Sequence, residues 1–174
     1  MLPRMSAPKW NRKLHRWGAI VIVLPLIIVM STGVLLLLKK SSNWIQPPSM
    51  SGSSEELTIS FNRILDIARQ VPEAEVNGWD DIDRLDVRPA TGMVKVRCKN
   101  RREIQIDTHT GEILQVSVRR SDLIESIHDG SFFFDGAKLW IYLPTATILI
   151  GMWGTGIYLF IRPYIARRNR RNHA

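Results

Sequence analysis

Two stretches without a single charged residue, 17–38 and 139–161, constrain this chain more than anything else in it. They hold 22 and 23 residues. At about 1.5 Å of rise per residue, either is long enough as a helix to cross a hydrocarbon layer of about 30 Å. Both therefore predict transmembrane helices. The first exceeds the apolar core of a cleavable signal, about 7–15 residues, and no A-x-A-like site follows it, so it predicts an uncleaved anchor.

Charge then sets the orientation. Residues 1–16 carry five cationic side chains (Arg4, Lys9, Arg12, Lys13, Arg16) and 162–174 another five (Arg162, Arg167, Arg168, Arg170, Arg171), with no acid in either tail. The positive-inside rule predicts both tails in the cytoplasm. The intervening stretch, 39–138, holds all 16 acids against 14 Lys and Arg and is expected outside. Lys39 and Lys40 lie on the disfavoured side and read as side chains that snorkel to the outer headgroups. The formal charge of +8 needs no nucleic acid, since cationic tails against an anionic leaflet account for it. Cys98 is the only cysteine, which excludes a disulfide within the chain and a thiolate cluster; it reads as a buried, inert thiol.

Between the spans, residues 39–56 read as a linker on their Ser and Pro content, "SSNWIQPPSMSGSS", with Trp44 and Ile45 able to touch the membrane surface. A small α+β domain is expected over 57–120. In "LTISFNRILDIARQVP", Phe61, Ile64, Leu65 and Ala68 form one apolar stripe of a helix, with Thr58 as its cap and Pro72 beyond its end. Four β-rich segments follow: 84–88, 93–98, 103–107 and 112–118. The short connections "PATG", "KNRR" and "THTG" favour consecutive antiparallel pairing, so the simplest domain is a helix on one face of a meander. Residues 121–138 form a juxtamembrane segment in which Ser121 would cap a short turn carrying Leu123, Ile124 and Ile127, and Phe132, Phe133 and Phe134 suit an apolar-to-polar boundary.

Within span two, Thr147, Gly151 and Thr155 form a small-xxx-small ladder for helix–helix contact, broadened by Gly154 and Gly156; the partner is either span one or a second copy. Pro25 and Pro144 are expected to kink the spans. His15 sits among Trp10, Lys13, Arg16 and Trp17, the composition of an interface anchor, and His128 precedes Asp-Gly, where it could cap a helix. His109 and His173 read as solvated. The acid-rich "DDIDRLD" lacks the Gly and terminal Glu of an EF-hand loop and reads as a solvated surface. No Ser/His/Asp or Cys/His constellation, phosphate loop or zinc spacing occurs.

These residues resemble a known family. "VRCKNRREIQIDTHTGEILQV" is similar to the end of a PepSY domain; "KLHRWG" before one apolar run, and "SIHDGSFFFDGAKLW" before another that closes in "GTGIYL", resemble the PepSY-associated transmembrane family. The resemblance covers nearly the whole chain except its tails. It implies a bacterial inner-membrane protein with a periplasmic PepSY domain. Longer relatives are associated with iron uptake, and some are ferric-siderophore reductases with histidine-bound b-type haem. This chain departs from them in having two spans and no cytoplasmic domain, so the expectation is an accessory to electron transfer or ferric-siderophore reduction. The positions carried over as haem-iron ligands are His15, from the L-H-R-W match, and His128, from H-D-G. A 22-residue span is about 33 Å long, so the two cannot share one iron. A homodimer could pair each histidine with its copy, giving two haems; a larger membrane complex is the other arrangement. The alternative reading is a non-enzymatic interaction protein whose PepSY domain binds another protein.

Overall fold

The computed structural model describes residues 7–172, with side chains over 9–165; His173 lies outside the described residues. The chain divides into two compact units, one made of residues 1–33 with 126–174 and one of residues 34–125.

The first unit is built on two long helices. Helix α1 (Ala7–Leu37) and helix α4 (Leu143–Asn172) contain the two segments that are long and apolar enough to cross a membrane, Lys9–Leu37 and Lys138–Ile165. Most of their large apolar side chains face outward, including Val21, Leu24, Ile150 and Trp153. Such a surface suits hydrocarbon, where only the backbone must be satisfied internally. The helices touch at Gly18, where a Cβ would lie 3.2 Å from the sulfur of Met152 and 3.4 Å from Ile148. Pro25 lies inside α1. Pro144 stands in the first turn of α4, directly after a π-helical turn at Lys138–Tyr142. That wider winding accommodates a residue with no N–H to give, which is where a helix irregularity is expected.

The second unit is a sheet of β1 (Ile82–Arg88), β2 (Met93–Cys98), β3 (Arg102–Asp107) and β4 (Ile113–Val118), paired consecutively and antiparallel in the order β1-β2-β3-β4. Helix α2 (Phe61–Arg69) covers one face, packing Ile64, Ile67 and Ala68 on Val94, Val96, Ile104 and Ile106. Its cap is Ser60, whose hydroxyl accepts the Arg63 N–H. Thr58, expected in that role, instead donates to the carbonyls of Thr108 and His109. Phe61 is 64% exposed and Ile67 takes its place in the core. A helical side chain covers the turn N-terminal to it, and the first residue of a helix has no such turn.

The opposite face alternates as a solvent face should, yet it is closed. Lys95, Glu103, Gln105 and Asp107 are buried on it beneath residues 45–54. The Pro48 carbonyl accepts from the Gln105 side chain, the Met50 N–H donates to the same amide, Ser49 accepts from Lys95, and the Ser53 N–H donates to Asp107. Ile45 is buried here, and its carbonyl accepts the N–H of Ser121. Trp44 stays exposed beside the Arg120 guanidinium, 4.8 Å from its ring. Helix α3 (Arg120–Asp129) begins one residue ahead of Ser121, which is therefore a helical residue and not its cap. Lys39 pairs with Glu125 at 3.0 Å.

Candidate functional site: two histidine stations

Both carried-over histidines lie in the first unit, and each meets a threonine of a long helix: His15 of α1 meets Thr155 of α4, and His128 of α3 meets Thr32 of α1. The helix formers Lys, Arg and Leu carry α1 past its apolar run to Ala7. Asn11 and His15, four residues apart, share one face of it. Both reach residue 155: the Asn11 amide donates to the Thr155 carbonyl, and His15 Nδ1 lies 3.1 Å from Thr155 Oγ1. His15, Leu14, Trp17 and Val21 from α1, with Ile148, Gly151 and Met152 from α4, line an almost wholly apolar recess of about 380 Å³.

His128 occupies the last turn of α3. Gly130 ends that helix at φ +87°, and a Cβ there would stand 2.6 Å from the Tyr142 ring, so only glycine fits. The Tyr142 hydroxyl donates to the Ile127 carbonyl at 2.9 Å. Asp129 accepts from the backbone and hydroxyl of Ser131 and from Lys138; the Ser131 bonds, and then the lysine, hold its carboxyl below the ordinary value. The H-D-G tripeptide thereby fixes where His128 emerges. Its Nδ1 lies 2.9 Å from Thr32 Oγ1 on α1.

The hydrogen bookkeeping is the same at both stations. A threonine hydroxyl carries one hydrogen. Thr32 gives its hydrogen to the Ile28 carbonyl, 2.6 Å away, and Thr155 gives its own to the Met152 carbonyl at 2.9 Å. Each oxygen is thus left able to accept from the imidazole Nδ1 that faces it. Neither Nε2 has a hydrogen-bond partner among the described residues, and neither is sealed from the exterior. Both threonines are followed by glycine: a Cβ on Gly33 would lie 3.5 Å from His128 Cε1, and one on Gly156 3.8 Å from His15 Cε1. The dipeptide Thr-Gly thus receives a histidine twice: Thr155-Gly156 on α4 from α1, and Thr32-Gly33 on α1 from α3.

Of the small ladder in α4, Thr155 holds His15 and Gly151 lines the recess, whereas Thr147 is exposed and returns its hydroxyl to the Leu143 carbonyl. Thr32, Asn11 and Tyr142 escaped the sequence reading; the T-G dipeptide repeated within both uncharged runs was the available signal. The stations stand apart. Residues 15 and 32 are 17 positions apart on α1, about 25 Å at 1.5 Å per residue. Among the described residues no three His, Cys, Asp or Glu side chains cluster as a metal site. Within "DDIDRLD", Asp81 accepts from the N–H groups of Asn77 and Gly78, and Asp86 from Arg88 and Arg97. His109 is half-exposed beside Glu56.

Residues 12–173 match a family described as the PepSY-associated TM region. No curated protein and no solved structure matches the chain.

Proposed function

Because this membrane chain belongs to the family of PepSY-associated transmembrane regions, we propose that it serves as an accessory to electron transfer or ferric-siderophore reduction at the bacterial inner membrane, with His15 and His128 as haem-iron ligands. The observation that carries this reading is the free Nε2 on both imidazoles while Nδ1 is tied down. Iron-ligating histidine commonly donates its second ring N–H to a fixed acceptor, which orients the ring and raises its basicity. The donor set fits a b-type haem in one respect and asks for a second chain in another. Each station offers one imidazole, and beside His15 an apolar wall of Leu14, Trp17, Val21 and Met152 suits a flat macrocycle; low-spin electron-transfer haems take two axial side chains. The same histidine of a second copy is the proposed second ligand at each station, and the stations' separation of about 25 Å makes them two sites, not one.

When bound, haem would supply a one-electron centre at each station. The chain's own part is positional: Thr155 and Thr32 orient the rings, Gly156 and Gly33 leave room beside them, and Gly130 with Tyr142 sets the exit of His128. The test is the purified protein from cells with ample haem. A Soret band that shifts on dithionite reduction is expected, with His15→Ala and His128→Ala each keeping about half of the pyridine-haemochrome signal. A colourless preparation, or equal haem per chain in wild type and both variants, would turn the reading toward an interaction protein acting through its sheet domain.

A further inference from the structure

We propose that Thr155 and Thr32 are tautomer-setting residues: each hydroxyl, committed through its single hydrogen to a carbonyl of its own helix, holds the opposing imidazole as the Nδ1–H form and turns the lone pair onto Nε2. The geometry leaves little choice. Thr32 Oγ1 and the Ile28 carbonyl oxygen are 2.6 Å apart, a separation two oxygens reach only with a hydrogen between them. The Thr155–Met152 pair at 2.9 Å is likewise within the hydroxyl range. With that hydrogen spent, the oxygen 2.9 Å from His128 Nδ1 and the one 3.1 Å from His15 Nδ1 can only accept.

Free histidine in water favours the opposite form, with the proton on Nε2. The two threonines therefore invert an intrinsic preference, at two places, by the same device. The role in ligation rests on the proposed function, but the tautomer itself does not.

The experiment uses the full chain, ¹⁵N-labelled at histidine, in lipid bilayers at about pH 8, where unperturbed imidazole is neutral. Nitrogen shifts separate a protonated from an unprotonated ring nitrogen. The wild type is expected to show His15 and His128 as Nδ1–H, Thr155→Val should return His15 alone to the Nε2–H form, and Thr32→Val should do so for His128 alone. Thr→Ser at either position keeps the acceptor and should preserve the wild-type pattern. Addition of haemin then separates the two readings. Loss of the threonine is expected to weaken haemin binding about 10- to 100-fold at its own station, the usual cost of removing an outer partner of a ligating histidine, with Ser restoring it. An Nε2–H signal in the wild type, or an unchanged tautomer in the valine variants, overturns the inference even if haemin binds. The expected tautomers without any haemin absorbance uphold it and sink the haem reading instead.

Discussion

Gly130 shows how much a single backbone position decides. It combines a left-handed φ with a ring stacked where its Cβ would be, and Tyr142 cannot withdraw without giving up the Ile127 carbonyl. Gly130→Ala is expected to cost at least about 1–3 kcal/mol and to lower the thermal midpoint of the protein, while Ser131→Ala, which removes one bond to Asp129, costs less. At the end of β3, Asp107 is buried, which by itself raises its carboxyl; the N–H groups of Thr110, Ser53 and His109 outweigh burial and hold it well below the usual carboxylate value. A carboxyl depressed in the folded state contributes stability that is present above its unfolded value, about 3.9, and is lost as pH falls through the folded one. Denaturant midpoints should therefore drop below about pH 4, with a shallower drop in Asp107→Asn. Cys98 is buried, as the sequence suggested, and its thiol is pushed up to about 11, by burial first and by Asp81 second.

At the level of elements, periodicity and turn chemistry made the meander legible. The four strands begin and end within two residues of the expected bounds, because β-branched alternation and short polar turns act locally. The second sheet face was not legible. Residues 45–54 carry no period, and Ser, Pro and Gly read as linker; what pins them is a set of buried side chains from β2 and β3, distant in sequence. The crossing is tight enough that Gly52 and Gly92 pass backbone to backbone, with Gly92 at φ +59°. Beneath it Glu103 is enclosed by Arg119 at 2.9 Å, Lys95 at 3.3 Å and Arg97 at 4.0 Å. Burial lowers the Arg119 value, but Asp122 and Glu103 outweigh it and keep the guanidinium charged. Glu103→Ala would strand these cations and is expected to cost about 3–5 kcal/mol, measured by chemical unfolding followed through the sheet's circular dichroism. Glu103→Gln, which retains an acceptor, should cost less.

For the whole molecule, the apolar runs announced both long helices, since length and absence of charge are one-dimensional properties. The histidines stood out by motif, whereas Thr155 stood out only as a small packing residue and Thr32 not at all: a hydroxyl inside an apolar run looks the same whether it serves its own helix or a neighbour. The proposed orientation is tested with reporters on the intact chain: a fusion after Ala174 should behave as cytoplasmic and an insertion near Ser51 as periplasmic, and reversal of both would remove the basis for a periplasmic sheet domain. The arrangement of the two stations has a mechanical side as well. A beam clamped at one point can still swivel about it, but one clamped at two distant points can neither swivel nor slide. His15 on Thr155 clamps α1 to α4 and His128 on Thr32 clamps it to α3, so a slip of α1 along its own axis by a single residue, about 1.5 Å, would spring both. Both clamps sit on α1, so the spacing between the stations is that of residues 15 and 32 along one helix.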